Sequence, residues 1–212
     1  QRESTRFHPQ TYLSPKSMTT RGILLDRDGV INYERADYVK SWEEFCFLPG
    51  ALTALQHLAT LPVPIVIVTN QSVIGRGIVP HATIDQLHQR VQQVVQEAGG
   101  RIDGFFLCPH HPDDGCTCRK PKPGLLCRAA NEFNFPLHEA TFVGDAITDY
   151  QAAMAVGCRS ILVRSGRQGK RLSALLAELQ QGNPTYALPE TTAPFPPIVA
   201  DLAAATALIL DH

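Results

Sequence analysis

This chain of 212 residues lacks any apolar run approaching the roughly 20 residues that a membrane-spanning helix needs. It also lacks a charge of one sign: 19 Lys and Arg against 20 Asp and Glu leave a formal net charge of −1. With no basic patch and no aromatic or basic strand-binding stretch, neither nucleic acid nor an anionic membrane surface is the expected partner. The first 21 residues are polar and lack the apolar middle of a secretion signal. Six cysteines in such a chain argue against a disulfide framework. No internal repeat is present. These absences lead us to expect a cytoplasmic protein that handles a small molecule.

What is present suits one globular core, with 44% hydrophobic and 18% charged residues. Residues 1–20 are expected to form a flexible extension, with Met18 a candidate native start. The core is expected over 21–168. A C-terminal segment, 169–212, is read as a helix at 170–181, a proline-rich linker at 182–197 and a final apolar helix at 199–210.

The core alternates short apolar runs with amphipathic stretches. Strands are predicted at Gly22-Ile23-Leu24-Leu25, Ile65–Val68, Phe105–Leu107, Ala140–Val143 and Ser160–Val163. Helices are predicted from Pro49-Gly50 onward, at 81–98, at 123–134 and at 148–156, whereas 32–49 has no sustained period. Such alternation is the signature of an α/β fold with a doubly wound, mainly parallel sheet. His57, His81 and His88 fall in helical stretches and are expected to be solvated.

The chemistry collects where strands end. Asp26 and Asp28 follow the first strand, Thr69 to Ser72 the second, and Asp145 the fourth. In an open parallel sheet these ends face one crevice. Two close carboxylates require a cation or a shared proton, and a hard divalent ion such as Mg²⁺ suits oxygen ligands. Lys120 adds a positive charge, and the Thr69 hydroxyl with neighbouring amides can hold phosphate oxygens. This set suits phosphoryl transfer: cations offset like-charge repulsion, and one carboxylate protonates a leaving alcohol. Arg27 reads as a surface or salt-bridging residue. Asp149 reads equally well as an acid beside the metal or as a helix N-terminal charge.

Between the third strand and Lys120 runs Cys108-Pro109-His110-His111-Pro112-Asp113-Asp114-Gly115-Cys116-Thr117-Cys118. Three cysteines and a histidine make a tetrahedral set for a structural Zn²⁺, with no open position for catalysis. Cys46, Cys127 and Cys158 are scattered, as small buried groups would be.

In their order, Asp26-Arg27-Asp28-Gly29, Thr69, Lys120 and Gly144-Asp145 resemble the four motifs of the haloacid dehalogenase (HAD) superfamily of phosphatases. The resemblance covers about residues 21–168. It implies Asp26 as nucleophile, through an aspartyl-phosphate, and Asp28 as acid/base. Thr69 and Lys120 would be phosphate ligands, with Asp26, the Asp28 carbonyl and Asp145 around Mg²⁺. Tyr38-Val39, Phe47-Leu48-Pro49-Gly50, Asn70-Gln71-Ser72 with Gly75-Arg76-Gly77, and Arg119-Lys120-Pro121 are similar to the heptose bisphosphate 7-phosphatases, which lack a large cap domain. This narrower likeness implies a small phosphorylated sugar held by Asn70, Gln71, Ser72, Arg76 and Arg119, in an enzyme that can act as a monomer. It also selects Cys108, His110, Cys116 and Cys118, rather than His111, as zinc ligands. Two departures stand out: Ala146 replaces a polar residue, and the zinc loop is short. The short loop also fits histidinol-phosphate phosphatases, which keeps that alternative open. A nucleic-acid 3′-end phosphatase and a non-enzymatic zinc module are the less favoured readings.

Overall fold

The computed structural model describes residues 20–180 and 196–211. Six strands form one sheet in the order β3-β2-β1-β4-β5-β6, all pairs parallel. The strands are β1 (Gly22–Leu25), β2 (Ile65–Asn70), β3 (Gly104–Cys108), β4 (Ala140–Gly144), β5 (Arg159–Val163) and β6 (Ile198–Val199). The helices are α1 (Ala51–Leu58), α2 (Ser72–Gly75), α3 (His81–Glu97), α4 (Gly124–Phe133), α5 (Ile147–Met154), α6 (Leu172–Gln180) and α7 (Leu202–Leu210).

The central strands are apolar throughout because both faces are covered. Ile23 and Leu25 of β1, with Ile65 and Ile67 of β2, join α1, α3 and α7 in one buried cluster. Leu24, Val66 and Val68 point the other way and pack with Leu125, Leu126 and Ala129 of α4 and with Ala152 and Ala153 of α5. The two-residue period of a strand therefore divides the core into two layers around the sheet. On a third cluster, Leu172 and Leu176 of α6 pack against Ile147, Tyr150 and Leu162.

The predicted α/β class and all five predicted strands are present. Helix ends lie within a few residues of their expected positions, except that the last helix starts at Leu202 rather than 199. Two elements were not foreseen. The single-turn α2 is too short to carry a periodic signal. β6, behind Pro196-Pro197, adds a two-residue edge strand beside β5, where proline is tolerated. Asp201 then caps α7 by accepting from Ala204 N at 3.0 Å. The extension at 1–19 and most of the linker, 181–195, lie outside the described residues. Among the described residues no helix is long and apolar enough to cross a membrane, and no cap domain interrupts the core.

Candidate active site

Going outward from β1, the chain winds to one side through β2 and β3 and then returns to β4 on the other. That reversal creates a crevice at the carboxyl ends of β1, β2 and β4. The crevice has a volume of about 350 Å³ and is lined by Asp26, Asp28, Thr69 to Ser72, Lys120, Asp145 and Asp149. Arg76 and Arg119 lie on its wall with Ala146, Glu34, Arg35 and Arg167. Every catalytic and substrate residue expected from the sequence is thus brought to one place.

Asp26 leaves the end of β1 with one oxygen engaged and, among the described residues, one open. Its Oδ1 accepts from Arg27 N at 2.7 Å and lies 2.9 Å from Lys120 Nζ. Burial pushes the Asp26 carboxyl up to about 7, against the opposing pull of Lys120. Lys120 arrives from the loop after β3 and spans to β2, where Nζ donates to Val68 O at 3.0 Å. The same ammonium stands 2.7 Å from Asp149 Oδ1. Burial alone would lower its pKa; Asp149 and Asp26 more than offset this and hold it above the ordinary lysine value.

Asn70 is occupied with placing that lysine. Its Nδ2 donates to Lys120 O and its Oδ1 accepts from Lys120 N, both at 3.1 Å. Gln71 is similarly engaged, donating to Asp28 Oδ2 at 2.8 Å and to Thr69 Oγ1 at 2.9 Å. The Thr69 hydroxyl proton is left for an anion. Both side chains line the crevice, yet their amides are engaged in placing Lys120, Asp28 and Thr69.

Asp145 follows β4 and is 5% exposed. Among the described residues no hydrogen-bond donor reaches its carboxylate. Burial, then the charges of Asp149 and Asp26, raise its pKa well above the ordinary carboxylate value. The backbone closes tightly around it: a Cβ on Gly29, at φ +83°, would lie 2.6 Å from Asp145 Oδ2, and one on Gly166 would collide with it. Asp149 Oδ2 accepts from Asp145 N at 3.1 Å and Ala146 N at 3.0 Å, capping α5. The helix-terminal reading of Asp149 therefore holds, and the same carboxylate also anchors the lysine.

Oxygens of Asp26, Asp145 and Asp149 lie within 4.8 Å of one another. Three carboxylates against the single Lys120 ammonium leave two negative charges uncompensated, the deficit a divalent ion would fill. The open Asp26 oxygen and the unpartnered Asp145 carboxylate are hard oxygen donors of the kind Mg²⁺ takes. The residues fit that ion.

The second cluster is also assembled. Cys108 Sγ lies 3.6 Å from Cys116 Sγ, 3.3 Å from Cys118 Sγ and 3.4 Å from His110 Nδ1. Cys118 Sγ lies 3.2 Å from the same nitrogen. An ion about 2.3 Å from each sulfur would hold tetrahedral ligands at close to these separations. His111 stands aside, its Nδ1 accepting from Asp113 N at 3.3 Å in the single turn Pro112–Asp114. The loop is docked on α2. Gly75 N donates to Pro109 O at 2.7 Å, and a Cβ there would meet His111 N at 2.5 Å.

Arg27, read as a surface or salt-bridging residue, is fully buried and paired with Asp28. His88, expected to be solvated, is only 4% exposed. His88 Nε2 lies 3.0 Å from Arg27 Nη1, and its ring stacks on Phe105 at 4.4 Å. Spacing carried the signal: His88 falls four residues after Ile84 and three before Val91, on the apolar stripe of α3.

Residues 117–192 match the HAD-hydrolase-like family model. The D-glycero-β-D-manno-heptose-1,7-bisphosphate 7-phosphatase of Pseudomonas putida is 41% identical over 178 residues, covering 84% of this chain and 95% of that protein. The chain belongs to the HAD phosphatases. The like-named protein of Neisseria meningitidis serogroup B is 38% identical, covering 81% of this HAD phosphatase and 97% of its own length. Among solved structures, the D,D-heptose 1,7-bisphosphate phosphatase of Bordetella bronchiseptica, complexed with magnesium and phosphate, superposes with a TM-score of 0.77. It is 37% identical and covers 90% of this chain and 98% of its own.

Proposed function

We propose that this HAD phosphatase removes the 7-phosphate of D-glycero-β-D-manno-heptose 1,7-bisphosphate. The observation that carries the reading is the intact Asp26, Asp28, Thr69, Lys120 and Asp145 constellation in a chain 41% identical to an enzyme so named. The β anomer comes from that name.

Lys120, Thr69 and the amides after β2 hold the phosphoryl oxygens at the strand ends. An Asp26 oxygen forms a bond to phosphorus while the bond from phosphorus to the sugar oxygen breaks. The electron pair stays on the sugar oxygen, which takes a proton from Asp28. Water then gives a proton to Asp28 and attacks phosphorus. The Asp26–phosphorus bond breaks and the carboxylate returns. Lys120 provides fixed positive charge throughout, its ammonium held by Asp149 and Val68 O.

Asp26, Asp145 and the Asp28 backbone carbonyl would hold Mg²⁺. When bound, that ion supplies further positive charge for the phosphoryl oxygens. Cys108, His110, Cys116 and Cys118 would hold Zn²⁺, shaping the loop that ends in Arg119 and Lys120. Arg76 and Arg119 suit the rest of the substrate, including its second phosphate, while Ser72 lines the wall near Thr69. We read residues 21–168 as the catalytic core and the C-terminal segment as packing on it. The open crevice suits a cytoplasmic monomer acting on a diffusing sugar phosphate.

Phosphorus NMR of the product tests the regiochemistry. Retention of the C1 phosphate signal with loss of the C7 signal is expected. Loss of the C1 signal first would overturn the assignment.

A further inference from the structure

Arg27 lies between the nucleophile and the acid/base but does not line the crevice. Its side chain is 1% exposed. Nη2 donates to both oxygens of Asp28, at 3.0 and 2.9 Å, and to Gln71 Oε1 at 3.1 Å. Nη1 faces His88 Nε2 at 3.0 Å, while among the described residues the buried Nε has no acceptor. His88 is fixed in turn by the stack on Phe105 and belongs to α3, outside the crevice wall. Burying a guanidinium carries a large desolvation cost, and an apolar side chain would serve packing at least as well. The contacts, not the packing, account for an arginine here.

We propose that Arg27, braced by the His88 imidazole, is a positioning residue that aims the Asp28 carboxylate at the leaving-group oxygen. The inference rests on the phosphatase reading above and adds two residues to it. One nitrogen of the planar guanidinium reaches both carboxylate oxygens while the other terminal nitrogen is anchored to α3, a two-nitrogen hold that the single nitrogen of an ammonium cannot reproduce. Asn32 Nδ2 at 2.8 Å and Gln71 Nε2 at 2.8 Å complete the cradle of Asp28 from two further segments. Burial and the adjacent Arg27 charge hold His88 down to about 3, so near neutrality it is an uncharged acceptor with its proton on Nδ1.

The test compares leaving groups in the first turnover with Mg²⁺. A sugar alkoxide needs a proton from Asp28, whereas p-nitrophenolate leaves without one. In His88→Leu and Arg27→Met, first-turnover release of the sugar from heptose 1,7-bisphosphate is expected to fall roughly 10- to 100-fold. Nitrophenolate release from p-nitrophenyl phosphate and KM for the bisphosphate should stay within about threefold. His88→Gln, which keeps an acceptor for Nη1, should release the sugar within about threefold of the unmodified protein. If Arg27→Met does not fold, the Leu and Gln variants at position 88 decide the matter. Equal losses with both leaving groups, no loss with either, or equal impairment of Gln and Leu would overturn the proposal alone. Absence of both activities in the unmodified protein would overturn the phosphatase reading with it.

Discussion

Asp26 and Lys120 show how individual side chains depend on one another in this site. Asp26→Asn removes the attacking oxygen while keeping the hydrogen-bonding shape, so turnover should disappear with the thermal midpoint little changed. Measurable turnover in that variant would remove Asp26 as nucleophile. Lys120→Met removes the cation shared by Asp26 and Asp149 and strands two buried carboxylates. It should cost about 3–5 kcal/mol of stability, read by urea unfolding, and nearly all activity. His88 yields a pH prediction. Its folded pKa of about 3 lies below the ordinary 6.5, so at lower pH the unfolded chain takes up a proton that the folded one refuses. Stability from this group is therefore complete above pH 6.5 and is lost as pH falls, by roughly 2–3 kcal/mol at pH 4.5. His88→Gln should flatten that part of the profile; parallel profiles for the two proteins would contradict it.

Among the elements, the loop between β3 and α4 does the most to connect sequence and site. It starts at the end of one strand, is pinned to α2, and ends in the lysine that crosses to β1. Gln71 N donates to Cys108 O at 2.8 Å, joining the turn that holds Thr69 to the first zinc-type ligand. Fresh protein should contain about one zinc per chain by elemental analysis, and Cys116→Ser should lower both zinc content and thermal midpoint. Gly75→Ala should have a similar, smaller effect, because its Cβ would push against the Pro109–His111 backbone. An unchanged midpoint and zinc content in Gly75→Ala would show that this close approach does not hold the loop. The Cys/His cluster was legible because its members stand close together in sequence. The docking on α2 was not, since a single turn has no period and a glycine gives no sign of what approaches it.

At the level of the whole molecule, the parallel sheet and the common crevice followed from strands that end in polar groups. Apolar strands buried on both faces advertise themselves, and the carboxylates beyond them mark which end is open. Less was visible where a residue's role depends on partners distant in sequence. Asn70 and Gln71 read as substrate contacts, but Lys120, 50 residues on, and Asp28, 43 residues back, occupy their amides. Arg27 read as a surface or salt-bridging residue; its ion pair with Asp28 is present, but its burial was not legible because only the fold brings His88 beside it. β6 was hidden because two residues after two prolines carry no alternation to detect. Ala146 lines the crevice where a polar residue was anticipated, which leaves Arg76 and Arg119 on the wall as the groups proposed to hold the distal part of the substrate. The most direct test of this account is kcat/KM for phosphate release with Mg²⁺ over both anomers of heptose 1,7-bisphosphate, fructose 1,6-bisphosphate, histidinol phosphate and a 3′-phosphorylated oligonucleotide. A clear preference for the β-heptose bisphosphate is predicted, and a preference for histidinol phosphate or the oligonucleotide would contradict it.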